Sequence, residues 1–209
     1  MHKWIKHYNT HYKKHLRVIA SGSKRGLKSD LYDRSEGFEF LFTELLNLTN
    51  SELQIIETGT VRKPNNWKDG NSGMIFAELV KMQGGFVRSV DLKKNAVNAA
   101  NEFIDNNYFK AYQSDSVAWL ESLDDLSNVD LFYLDSYDVK WMDDTPSAEH
   151  HLNEFKAIEP YLKDCIVGID DNAFKADGTR TGKGRAIYDY LAAKDIFPLW
   201  DKYQIIYRF

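Results

Sequence analysis

The chain has 209 residues, 43% of them hydrophobic and 28% charged, with a formal net charge of −4 and one cysteine. These values describe one soluble globular domain that can bury a substantial core, and the lone Cys165 excludes a disulfide framework and fits a reducing, cytoplasmic setting. No apolar run approaches the roughly 18 residues needed to span a bilayer, and the first residues lack the apolar centre of a signal peptide.

The charge is unevenly spread. Residues 1 to 29 hold eight Lys or Arg and no acid, which leaves 19 basic and 31 acidic residues for the rest. A basic arm of this kind is expected to lie on the chain's own acidic body. No basic-plus-aromatic nucleic-acid module is present. His7, His11 and His15 fall four apart on one expected helix face. With no nearby cysteine, that face reads as partly solvated or as a contact in a homo-oligomer rather than a zinc site.

After the arm, residues 31 to 48 carry apolar residues at helical spacing, with Ser29 and Asp30 as expected caps. Strands and helices then alternate. Strands are predicted over 54–60, 86–92, 109–114, 129–135 and 165–170; helices over 72–82, 95–106, 116–123, 146–162 and 184–194. Repeated units of this length require a mainly parallel sheet with helices on both faces. The last two runs, 197–200 and 204–209, are separated by only three residues, which predicts an antiparallel hairpin.

In such sheets a ligand sits beyond the carboxyl ends of the strands. Here those ends carry Glu57, Thr58 and Gly59, then Asp91, Ser114-Asp115, Asp135, and Asp170-Asp171-Asn172. A carboxylate after the second strand suits the diol of a ribose, and a polar residue after the third can meet an adenine edge. A dinucleotide needs a tight Gly-rich turn at a helix start, whereas ten residues separate Gly59 from Gly70. S-adenosylmethionine has no pyrophosphate and tolerates a longer, polar loop. The sequence "GTRTGKGR", 178 to 185, misses the phosphate-binding spacing and reads as a surface loop whose Lys183 and Arg185 can hold an anionic group. Trp67 serves either as a ligand-stacking ring or as a loop anchor.

The stretches "IIETGT", "VRSVDL", "YQSDS" and "VDLFYLDSYD" resemble the motifs of class I S-adenosylmethionine-dependent methyltransferases. The resemblance covers roughly residues 50 to 209 and leaves 1 to 49 as a basic arm and helical cap. It implies a Rossmann-like α/β fold and a donor pocket formed by Glu57, Thr58, Gly59, Ser72, Asp91, Ser114, Asp115 and Asp135, with the loop from Val61 to Asn71 over the methionine part. "YLDSYD" and "GIDDNAF" further resemble metal-dependent O-methyltransferases of the catechol and sugar types. That implies Mg²⁺ or Mn²⁺ on Asp135, Asp171 and Asn172, with Asp170 beside them. The catechol type has a basic Lys where this chain has Asp138. His150 and His151, at the start of the following helix, are therefore expected to take the proton, with Asp138 in reserve. The expected acceptor is a hydroxylated small molecule, a sugar or glycoside first. A non-catalytic binding module on the same scaffold and an NAD-binding oxidoreductase are the alternatives.

Overall fold

The computed structural model describes residues 2–16, 33–48, 52–64, 66–67 and 71–209. The expected caps Ser29 and Asp30, the expected helix start at Leu31, the basic residues Arg17, Lys24, Arg25 and Lys28, and Gly70 lie outside the described residues. Three helices come first: α1 (Lys3–His11), α2 (Lys13–Leu16) and α3 (Arg34–Leu48). The alternating region follows as β1 (Leu53–Thr58), α4 (Ser72–Gln83), β2 (Gly85–Asp91), α5 (Lys94–Phe103), β3 (Phe109–Gln113), α6 (Ser116–Glu121), β4 (Leu131–Leu134), α7 (Thr145–Ile158) and β5 (Ile166–Ile169). A short hairpin, β6 (Asn172–Phe174) and β7 (Arg180–Gly182), precedes α8 (Arg185–Ala192), β8 (Trp200–Asp201) and β9 (Ile205–Arg208).

Seven strands form one sheet in the order β3-β2-β1-β4-β5-β9-β8. The first five are parallel, and β9 runs antiparallel to β5 and, as the short terminal connection requires, to β8. The strand order reverses between β1 and β4, so the turns after these two strands open the crevice where a ligand can enter.

The strands are apolar on both sides because both faces are covered. Ile55, Tyr133 and Ile166 face one cluster with Phe38, Phe42 and Phe76; their chain neighbours Ile56, Phe132 and Val167 face the other, with Phe155, Ile158 and Ile187. The N-terminal helices belong to the first cluster. Trp4 is fully buried, with its ring edge-on to Phe42 at 5.4 Å, and the Tyr8 hydroxyl donates to the Ser35 carbonyl at 2.8 Å. The arm also meets an acid of α3, with Lys13 and the Asn9 amide, the latter at 2.8 Å, both on Glu39. His7 and His11 share a helix face at 4.5 Å, but the chain breaks at Tyr12 and His15 instead stacks on Trp67 at 4.9 Å. Trp67 is a loop anchor in this arrangement.

Two local differences from the sequence reading have simple causes. The helix expected to run to 162 ends as α-helix at Ile158 and tightens into a 3-10 turn over Glu159–Tyr161, where Pro160 brings no N–H. The supposed surface loop over 178–185 is mostly the β6–β7 hairpin and the start of α8. Among the described residues no helix is long and apolar enough to cross a membrane.

Candidate functional site

The crevice begins at Gly59, which follows β1 with φ +80°; a Cβ here would lie 2.5 Å from the carbonyl oxygen of Asp135. Only glycine lets the turns after β1 and β4 approach this closely. Thr58 backs the contact, since its carbonyl accepts the Asp135 N–H at 2.9 Å and its hydroxyl donates to Glu154 at 3.1 Å.

Glu57 points away from the crevice. It is fully buried and accepts from the hydroxyls of Ser72 at 2.5 Å and Ser89 at 2.8 Å. Burial pushes its carboxyl up to about 7, against these hydrogen bonds and one from the Gly73 N–H. The first turn of α4 is thus held by an acid of the chain itself.

Two cavities open on the crevice. The larger, about 380 Å³, is lined by Asp91, Leu92, Asp115, Ser116, Tyr137 and His150 among others. Asp91 ends β2, and its two oxygens accept from the N–H groups of Thr60 at 3.2 Å and Lys93 at 2.7 Å. Asp115 caps α6 through the Ala118 N–H at 3.1 Å. Ser114 bonds the Asp91 carbonyl through its own N–H at 3.2 Å and is not among the lining residues; the serines that line the cavity are Ser116 and Ser136.

His150 lies in this cavity, with Nε2 2.9 Å from the Ser116 hydroxyl. Its hydrogen bond to Glu154 raises its pKa, against burial. His151 lines neither cavity. It is fully buried, its Nδ1 donates to the Ser147 carbonyl at 2.7 Å, and burial pushes it down to about 4 against the pull of Glu154. Of the three residues expected to handle the proton, Asp138 alone lines both cavities. It pairs with Arg62 at 2.5 Å and Lys93 at 3.5 Å. Burial works against its ionisation, but Arg62 outweighs this and holds the carboxyl below the ordinary range.

The second cavity, about 150 Å³, is almost wholly polar: Arg34, Thr60, Arg62, Asn71, Ser72, Asp135, Asp138, Asp171, Lys183 and Tyr203 contribute to its wall. Asn71, in left-handed conformation before α4, is 1% exposed, and among the described residues both polar atoms of its amide lack a hydrogen-bond partner, as does the Thr60 hydroxyl. Unsatisfied buried groups on a cavity wall call for a polar ligand.

The four residues expected to hold a metal do come together here, but with two cations among them. The Lys183 ammonium contacts Asp135 and lies 2.9 Å from Asp171 Oδ2. Arg34, from the start of α3, binds Asp170 at 2.8 Å and Asp171 at 2.9 Å. Asn172 turns inward: its oxygen accepts the Gly184 N–H at 2.7 Å and its amide donates to the Ile169 carbonyl at 2.9 Å. Burial opposes ionisation of Asp171, but Lys183 and Arg34 outweigh it and hold the carboxyl well below its usual range. This donor set does not fit a hard divalent cation, which needs free oxygen lone pairs. Among the described residues no three His, Cys, Asp or Glu side chains are arranged to hold a metal ion.

Arg34 and the placement of Lys183 are not visible in the sequence reading. The Arg34 contact spans 136 residues of chain. For Lys183 a signal does exist: Asp177-Gly178 between short β-forming runs marks a hairpin, and a lysine between two glycines follows it.

No protein-family model matches the chain, and no curated protein matches it in sequence. Solved structures do match. CalS11, a TDP-rhamnose 3'-O-methyltransferase of calicheamicin biosynthesis, matches with TM-score 0.55 over 99% of this chain and 93% of its own, at 13% identity. MycE of the mycinamycin pathway, in complex with Mg, SAH and mycinamycin VI, matches with TM-score 0.54 over 85% of this chain, at 12% identity. This chain spans 50% of the MycE chain in that complex and 31% of it in another crystal form. A human methyltransferase 10 domain-containing protein matches with TM-score 0.53 over 94% of this chain and 98% of its own, at 8% identity. The likeness is one of fold, and the fold is that of the class I S-adenosylmethionine-dependent methyltransferases.

Proposed function

We propose that the chain transfers a methyl group from S-adenosylmethionine to a hydroxyl of a small polar acceptor, with a sugar or glycoside as the first class to test. The observation that carries this reading is the pair of cavities that meet at Asp138, the polar one reaching the Gly59 turn. The larger suits adenosine, with Asp91 toward the ribose and Asp115 and Ser116 toward the base. The polar one suits the charged amino-acid end of the donor, where Thr60 and Asn71 lack partners among the described residues. The same cavity wall, with Arg62 and Asp138, is polar enough to admit a hydroxylated acceptor. That the fold is shared with a sugar O-methyltransferase supports this acceptor class.

The chemistry is an in-line displacement. The acceptor oxygen forms a bond to the methyl carbon, the carbon–sulfur bond breaks and the electron pair stays on sulfur. The acceptor proton becomes strongly acidic as the new bond forms, so even a weak base suffices. In this reading Asp138 receives it, because it lines the polar cavity and neither histidine does. The main contribution of the site is positioning, which holds oxygen, carbon and sulfur in line. The Gly73 N–H and the Ser72 hydroxyl at the start of α4 bond Glu57, which disfavours a dinucleotide pyrophosphate there.

Calorimetry with S-adenosylhomocysteine and with NAD tests the donor. Binding of the former, weakened by Asp91→Ala, is expected; binding of NAD alone rejects the reading. In a panel of sugar and glycoside acceptors, Asp138→Asn is expected to lower turnover by about 10²-fold while leaving donor affinity near wild type.

A further inference from the structure

We infer that Lys183 is a built-in cation that closes the Asp135–Asp171 pair to divalent metal ions, so that this crevice carries its positive charge in the chain rather than in an ion. The ammonium is 2% exposed and is turned to three oxygens: the Asp135 carbonyl at 3.3 Å, the Asp135 carboxylate, and Asp171 Oδ2 at 2.9 Å. The other Asp171 oxygen accepts from Arg34 at 2.9 Å and from the Tyr203 hydroxyl. The Asn172 oxygen, a natural third ligand, is spent on the Gly184 backbone at 2.7 Å. A metal arriving here would have to break several charge-assisted hydrogen bonds before it gained its first oxygen.

The charge count agrees. Asp135, Asp170 and Asp171 face Lys183 and Arg34, so the cluster carries at most one net negative charge. A divalent ion would leave it positive in a buried setting, which is costly. Without the lysine, the same three carboxylates and one arginine would balance a divalent ion.

The backbone is shaped to deliver this side chain. Gly182 has φ +112°, and a Cβ there would meet the Asp171 carbonyl oxygen at 2.2 Å; a Cβ at Gly184 would meet the Asn172 side-chain oxygen at 2.7 Å. The two glycines let the segment lie directly on the Asp171-Asn172 turn, where the Lys183 N–H bonds the Asp171 carbonyl at 3.2 Å. Asp144 fixes the same segment from the other side, accepting from the Gly182 N–H at 2.7 Å and the Thr181 hydroxyl at 3.0 Å. A flexible lysine that drifted into an acidic cleft would need none of this.

The inference concerns ion binding and stands apart from methyl transfer, although under the proposed function it makes turnover indifferent to chelators. The test uses Mn²⁺ and the full chain, with free Mn²⁺ read by electron paramagnetic resonance. The wild type is expected to bind no stoichiometric Mn²⁺ up to about 1 mM, the weak end of protein sites for hard divalent cations. Lys183→Met, which keeps the stem and removes the charge, is expected to bind one Mn²⁺ at least roughly tenfold more tightly than the wild type, and Asp171→Asn in that background should abolish it. Lys183→Gln is read in the same way should the methionine variant not fold. Stoichiometric binding by the wild type that Asp135→Asn removes would overturn the inference. So would a folded Lys183 variant that binds no better than the wild type. If neither variant folds, the wild-type titration alone decides.

Discussion

Gly59 and Asp135 touch across the switch point of the sheet: the missing Cβ of the one would stand 2.5 Å from the carbonyl oxygen of the other. This contact joins the turn after β1 to the turn after β4, and both residues line the polar cavity. Alanine at position 59 would have to adopt φ +80°, at a cost of about 1–2 kcal/mol. It would also push against backbone rather than against a mobile side chain. Gly59→Ala is therefore expected to lower the melting temperature and to abolish S-adenosylhomocysteine binding in calorimetry. A variant that binds with wild-type affinity would show that the close approach is not what forms the pocket.

The N-terminal helices bear on stability rather than on the crevice. Trp4 is fully buried and edge-on to Phe42, which itself packs on Phe38 and Phe76. Removing the indole leaves a large cavity, and Trp4→Ala is expected to cost about 3–5 kcal/mol. Urea unfolding measures it. A loss below about 1 kcal/mol, the level of a surface substitution, would mean that the arm rests on the body without supporting it.

Much of the fold was legible because the local signals agree with the sheet. β2, β4 and β5 are short, largely apolar runs with an acid at or just past the end, at Asp91, Asp135 and Asp170, and the short gap before β9 forces an antiparallel return from β8. The site was legible only to the depth at which strand ends imply it. Asp135 and Asp171 do meet, but across Lys183 rather than around an ion, and their partners come from elsewhere in the chain. Arg34 arrives from α3, and Lys183 from a hairpin whose turn residues look like those of a surface loop. Helical periodicity also places His150 and His151 at one helix start without saying which way each ring turns. One faces a cavity and the other the core.

His151 should leave a mark on the acid side of the stability curve. Burial holds it neutral, down at about 4, against an ordinary value of 6.5. Between these values the unfolded chain binds a proton that the folded chain refuses. Its contribution is therefore complete above pH 6.5 and is lost as the pH falls toward 4, by up to about 3 kcal/mol. His151→Asn retains an amide that can donate to the Ser147 carbonyl but cannot titrate. Chemical unfolding at pH 7 and pH 4.5 should show a smaller drop in the variant than in the wild type. Equal drops would mean that His151 is protonated without penalty.

His150 separates the two ends of the crevice. Its ring meets Ser116 at 2.9 Å in the cavity that also holds Asp91 and Asp115, and it is absent from the polar cavity around Asp135 and Lys183. A residue there can affect how the donor is held but lies badly for taking a proton from the acceptor. Losing one net hydrogen bond costs about 1 kcal/mol, or roughly fivefold in affinity. His150→Ala is thus expected to weaken S-adenosylhomocysteine binding by about that factor and to raise the KM for the donor, with kcat at saturating donor close to wild type. Glu154 raises the pKa of His150, so the protonated ring persists to higher pH than usual and any pH dependence it confers should appear in donor KM. A variant with unchanged donor affinity and a collapsed kcat would place His150 at the transferring end, and Asp138 would lose its part in receiving the proton.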